Sequence, residues 1–169
     1  MLTIHVGAHP DGAVAVERDR VVAVGDVTAL RAGYPGARVR EWPGELRAGL
    51  LWEGPLPDAP SPRERVHALL LRGVTALAAG ALDDDPALGQ AAARVGLPFG
   101  TPAPLAVGAR ADFAVFAPSR TDATDGTDAI DATDRTDGTD RTHRSDRTHR
   151  SDRACLATVL AGRLVHRRT

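Results

Sequence analysis

Lysine is missing altogether from these 169 residues, so all 21 basic side chains are arginine, and Ala, Gly and Pro are abundant. Such a bias belongs to the coding sequence more than to chemistry. The single cysteine, Cys155, excludes an internal disulfide, and a reducing cytoplasm is the default location. No stretch approaches the roughly 18 apolar residues of a membrane helix, and the first residues lack the charged-then-apolar pattern of a secretion signal. Aromatic residues make up only 4%. The core must therefore be built from Ala, Val and Leu, which bury less area per residue than rings, and modest stability is expected. A net charge of −1 supplies no long-range field for nucleic acid or an anionic membrane, and neither is expected as a partner. What is present is a 43% hydrophobic fraction, enough for one core of ordinary size.

Period-two alternation places strands in the first 25 residues: Leu2, Ile4 and Val6, then Val14 and Val16, then Val22 and Val24. Glu17-Arg18-Asp19-Arg20 joins the last two as a hairpin, Asp11-Gly12 marks a turn before them, and the whole reads as a small antiparallel meander. Asp26 caps a short helix that ends at Gly33, and a strand follows over Arg38 to Trp42. Seven Gly and Pro residues between Pro43 and Pro60 then predict a loop.

Ser61-Pro62-Arg63-Glu64 matches a capping box with Pro at the first helical position. The helix it opens carries Val66, Leu69 and Leu70 on one face and ends at Gly73. Val74-Thr75-Ala76-Leu77 reads as a buried strand, and Asp85-Pro86 opens a further helix stopped by Gly96 and Pro98. Residues 61 to 97 thus form a helix-strand-helix unit. Leu105 to Phe116 and Ala154 to His166 return to strands, the latter a hairpin about Ala161-Gly162-Arg163.

Between those strands, residues 121 to 153 are eleven consecutive triplets: ten of the Thr-Asp-x, Thr-His-Arg and Ser-Asp-Arg kind and one Ile-Asp-Ala. Ile130 is the only apolar side chain there larger than alanine, so burial cannot offset the entropy of ordering the segment, and disorder is expected. Gly is not at every third place, which excludes collagen, and the glycine-rich calcium repeat is absent as well. Nine Asp against six Arg leave the segment too mixed for a strong polyelectrolyte. Slippage expansion of a short loop explains it most simply.

Four stretches together resemble a known family. V-A-V-E-R-D-R-V-V-A-V-G-D (14 to 26) resembles the opening hairpin of metal-dependent amidohydrolases, and W-P-G-E-L-R-A-G-L-L (42 to 51) their lead-in to the first barrel strand. L-A-V-G-A-R-A-D-F-A-V-F (105 to 116) and A-T-V-L-A-G-R-L-V-H-R-R (157 to 168) are similar to their closing strands, nearest to imidazolonepropionase and aminodeoxyfutalosine deaminase-like proteins. The resemblance implies a mixed α/β, mainly antiparallel fold: a small β-sandwich-like composite domain of the metal-dependent hydrolase type, with one or two helices. Its span would be 1–120 plus 154–169, with the helix-strand-helix insert at 61–97 and a disordered loop at 121–153.

In the family, a metal-binding (β/α)₈ barrel lies between the two halves. The 54 residues from Leu51 to Pro104 are far fewer than the roughly 200 that such a barrel needs. Family chemistry requires a His-x-His pair at the first barrel strand, further His ligands and a metal-bound Asp, because the metal activates water and polarises the scissile centre. Here Trp52-Glu53-Gly54-Pro55 stands where that pair would be. The resemblance therefore implies no catalytic residue, no cofactor contact and no metal ligand in this chain.

The other candidates read as structural. His5 and His9, spaced i, i+4, lie on a strand and turn and not on a helix, so they are expected to be exposed or partly buried. His67 has no second ligand nearby, and His143 and His149 sit in the repeat. Asp85 serves as an N-cap within Asp83-Asp84-Asp85, and Asp112 anchors a turn. Cys155 is a buried, inert thiol. Glu53 alone makes no general-base system, and Trp42 and Trp52 either bury or form a contact patch. The expected function is an imidazolonepropionase-like, non-catalytic or degenerate composite domain with a binding or regulatory role. The alternative is a hydrolase of carbon-nitrogen, non-peptide bonds whose site another subunit completes. Loss of the barrel exposes the face that it would cover, which predicts a homodimer or a protein partner.

Overall fold

The computed structural model of the protein describes residues 1–9, 12–82, 85–118 and 153–168. Residues 121–152 of the triplet repeat, Asp11 of the expected turn, Asp83 and Asp84 lie outside them. The N-terminal sheet holds β1 (Leu2–Val6), β2 (Ala13–Glu17), β3 (Arg20–Gly25) and β4 (Arg38–Glu41) in the order β3-β2-β1-β4. β1, β2 and β3 pair antiparallel as the alternation predicts, while β4 joins β1 in parallel after the chain returns through α1 (Val27–Gly33). Asp26 starts that helix by accepting the Thr28 and Ala29 N–H groups at 2.8 and 3.2 Å.

β2 is buried on both faces, and its sequence shows how. Ala13 and Ala15 leave room for α1, whose Leu30 packs with Ile4 and Val6. Val14 and Val16 point the other way, to Val21, Phe113 and Val159. The alternation in this strand is small against large, not apolar against polar.

The C-terminal sheet consists of β5 (Glu45–Ala48), β8 (Phe113–Phe116), β9 (Cys155–Leu160) and β10 (Arg163–Arg167), antiparallel throughout in the order β10-β9-β8-β5. Between β5 and β8 the chain forms β6 (Leu50–Trp52), α2 (Pro62–Leu70), β7 (Val74–Leu77) and α3 (Pro86–Val95). β6 and β7 are parallel, and Phe99 adds a parallel bridge to Leu77. The fold class is the expected mixed, mainly antiparallel one, with three helices among the described residues.

Two stretches differ from expectation. β5 and β6 occupy ground that the Gly and Pro content marks as loop. The glycines there are points of close approach: a Cβ on Gly44 would collide with the Phe116 carbonyl, and one on Gly49 with the Thr75 side chain. Only residues 53–60 remain a loop. Conversely, of Leu105 to Phe116 only the last four residues are strand. Residues 105–112 turn twice, with Gly108 at φ +83°, and dock along the β2–β3 turn through Val21 N to Ala109 O, Gly108 N to Val21 O and Ala111 N to Asp19 O.

Asp112 lies at this junction, 1% exposed, and accepts the Ala161 N–H at 2.7 Å from the β9–β10 turn. Arg110 faces it at 3.4 Å and donates to the Gly96 carbonyl at the end of α3. Burial pushes the Asp112 carboxyl above the usual range, although the Ala161 N–H and Arg110 pull the other way. The expectation of a turn anchor thus has a specific partner.

His5 departs from its expected exposure. β1 has a strand on each side, α1 over one face and the second sheet over the other, so His5 is 3% exposed. Its Nδ1 accepts the Trp42 indole N–H at 3.2 Å, and its ring meets Phe113 edge-on at 4.9 Å. Burial, reinforced by the nearby Arg40 charge, lowers its pKa from 6.5 to about 4.

Two outcomes follow from these buried groups. Unfolded chains protonate His5 once the pH drops below 6.5, whereas the folded protein resists down to about 4. Stability contributed by the neutral ring is therefore complete above pH 6.5 and is lost toward pH 4, by about 3 kcal/mol at most. His5→Gln, which keeps an acceptor for the indole, is expected to lose less stability between pH 7 and 4.5 in urea titrations; identical pH dependence would count against the assignment. Asp112→Ala is expected to cost about 2–3 kcal/mol, because it strands a buried N–H and leaves Arg110 unpaired, with Asp112→Asn losing less. Urea midpoints at pH 7 measure both.

Candidate functional site

The resemblance sets a His-x-His pair at the C-terminal end of β6. There Trp52 donates its indole N–H to the Pro55 carbonyl at 3.2 Å, and Glu53 is exposed. Arg65 of α2 ties the following loop down, with Nε 3.1 Å from Pro57 O and Nη2 3.4 Å from Leu56 O. Leu56 is buried in the apolar cluster that Val66, Leu69, Leu77 and Leu88 form between the helices and β7. Packed protein thus fills this end of the parallel pair, and among the described residues no three His, Cys, Asp or Glu side chains converge to hold a metal ion.

The individual candidates are scattered. His5 is inside the sandwich, and His9 is exposed, 4.0 Å from Glu45. Asp85 caps α3 by accepting from Ala87 and Leu88 N–H. Cys155 is buried, donates to Ala157 O at 3.3 Å and lies 3.4 Å from the Thr158 hydroxyl, which itself donates to Leu70 O. Burial raises its thiol pKa despite those bonds, which suits an inert packing role. Trp42 is buried against His5, with the Arg40 and Arg167 guanidinium carbons 5.5 and 5.9 Å from its ring centre. His143 and His149 fall outside the described residues.

A cleft of about 920 Å³ opens elsewhere, bounded by Leu50, Leu51 and Trp52 of β6, by Leu71, Arg72 and Val74 at the start of β7, and by Arg153, Ala154, Cys155, His166 and Arg168. It takes in the beginning of β7, not the end covered by Leu56. Among the described residues, every ionisable side chain on its wall other than the thiol is a base. Arg72 lies 5.2 Å from the Trp52 ring centre. His166, half-buried, faces His67 of α2 at 6.2 Å between ring centres. Its pKa is lowered by burial first and then by His67 and Arg168.

Among the described residues, only Arg153 of these bases has an acidic partner. Its Nη1 is 2.8 Å from Glu45, which also binds Arg47. Burial raises the Glu45 carboxyl, but the two guanidiniums outweigh it and hold the pKa below its usual value. The sequence gives little warning of this cleft, because its four bases come from positions almost a hundred residues apart and converge only through the pairing of β6 to β7 and β9 to β10.

The bacterial imidazolonepropionase-like composite domain family matches residues 12–37, which is the stretch from β2 through α1. No curated protein matches the chain. Among solved structures, guanine deaminase from Bradyrhizobium japonicum aligns at 14% identity and a TM-score of 0.41, over 58% of this chain and 33% of that one. The chain therefore spans about a third of the length of that enzyme. The β2–β3 hairpin and α1 are thus the part of the chain that is similar to the bacterial imidazolonepropionase-like composite domain.

Proposed function

We propose that this composite domain is non-catalytic on its own and acts in binding or regulation. The observation that carries this reading is the fate of the segment between the two halves. β6, α2 and β7 form one β-α-β unit with α3 behind it, which resembles the opening of a (β/α)₈ barrel, yet β8 of the second sheet follows after that single repeat. At the strand end where a barrel enzyme holds its metal, Leu56 packs into an apolar cluster and Trp52 bonds to the loop backbone. A hydrolytic site needs a metal or an acid-base pair in reach of substrate, and among the described residues the loop at this end offers two exposed carboxylates, Glu53 and Asp58, with no cluster that could hold a metal ion. What the fold retains is a framework that positions binding surfaces.

The triplet repeat is read as an insertion that the framework carries without depending on it. Ala117 N donates to Ala154 O at 2.9 Å, and Arg153, the last residue of the repeat, pairs with Glu45, so the two ends of the β8–β9 connection are tied together at its base. The domain is proposed to act in the cytoplasm; no helix among the described residues is long and apolar enough to cross a membrane.

Purified full-length protein is expected to carry no stoichiometric transition metal at pH 7.5 by elemental analysis and to leave imidazolonepropionate unhydrolysed. One equivalent of zinc together with hydrolysis would favour instead a carbon-nitrogen hydrolase whose site a second subunit completes. Replacing residues 121–152 with a short Gly-Ser turn is expected to preserve the fold and raise stability by up to about 2 kcal/mol, since closing a shorter loop costs less entropy. A collapse of the urea transition in that variant would sink the reading of the repeat as an insertion.

A further inference from the structure

We infer that the cleft beside β6 is a binding site for a small organic anion with a flat apolar body, of the aryl carboxylate or aryl sulfonate class. The inference deepens the binding role proposed above and rests on it; the cleft shares Trp52 with the strand end that a metal centre would use and otherwise opens at the beginning of β7.

The cleft's size, about 920 Å³, is that of a small-molecule pocket, and its walls divide in the way such pockets do. Leu50, Leu51 and Val74 supply apolar surface, and Leu51 and Leu71 leave 37% and 44% of theirs exposed. Trp52 adds a flat ring, and the guanidinium of Arg72 over it is held in place by the cation–π contact. Arg72 and Arg168 have no acidic partner among the described residues, whereas Arg153 is committed to Glu45.

Among the described residues no carboxylate lines the cleft, so Arg72, Arg153 and Arg168 gather positive charge on its wall. Like charges gathered around apolar surface repel one another and gain by admitting an anion, and a guanidinium matches a planar carboxylate or sulfonate in a two-pronged hydrogen bond. A neutral apolar ligand would leave that charge unanswered. Inorganic phosphate would leave the leucines and Trp52 uncovered. Only a ligand with both parts satisfies both walls.

The test uses the full chain and three probes in isothermal titration calorimetry: 1-naphthoate, its neutral counterpart 1-naphthylmethanol, and inorganic phosphate. The naphthoate is expected to bind at least ten times more tightly than either of the others. Arg72→Met and Arg168→Met, which keep much of the stem and remove the charge, are each expected to weaken naphthoate about tenfold and leave naphthylmethanol unchanged. Arg94→Met, outside the cleft on α3, is expected to change nothing. Circular dichroism melts confirm that each variant is folded, and either cleft variant suffices if the other fails to fold. Equal binding of acid and alcohol, equal binding of phosphate, or no binding of naphthoate overturns the inference. Zinc content and hydrolysis speak separately to the catalytic question, so one reading can fail without the other.

Discussion

The structure depends on a junction about Ala111, where the two halves of the chain are joined by main-chain hydrogen bonds. Ala111 donates its N–H to Asp19 in the β2–β3 turn and accepts the Gly162 N–H from the β9–β10 turn with its carbonyl. Asp112 takes the neighbouring Ala161 N–H, and Gly162 approaches the Arg18 carbonyl so closely that any side chain there would collide with it. Backbone groups buried at such a place must find partners, and these find them only if both turns arrive together. The N-terminal sheet is thereby fixed over the C-terminal one, and His5, Trp42 and Phe113 can meet between them.

The same junction explains how an interrupted domain keeps its shape. Arg110 reaches from it to the end of α3, so the inserted β-α-β-α segment is anchored at its far end as well as through β6. Thr158 of β9 donates to the Leu70 carbonyl at the end of α2, a second tie between insert and sheet. The insert is held by hydrogen bonds to the sandwich and by its own leucine cluster, which includes Leu160 of β9.

Features legible in the sequence were those whose cause is local. Asp26, Ser61 and Asp85 each cap the helix that their position announces, and the hairpins turn at Arg18 and at Ala161-Gly162, where the chain adopts positive φ. Ser61 Oγ accepts the Glu64 N–H at 3.3 Å, and its hydroxyl donates to the Glu64 carboxylate at 2.8 Å. What escaped the sequence was set by distant neighbours. Gly44 and Gly49 look like breakers until Phe116 and Thr75 are placed against them. His5 sits on the polar side of an alternating strand, and only the second sheet makes that side interior. The arginines of the cleft are individually ordinary surface residues, and it is convergence that sets them apart.

The tied base of the β8–β9 connection bears on the length of the repeat. Ala117 N donates to Ala154 O and Arg153 pairs with Glu45, so the two ends of that connection are tied to the sandwich and to each other. On the insertion reading proposed above, lengthening or shortening the repeat changes only the entropy of closing that loop, which grows slowly with its length.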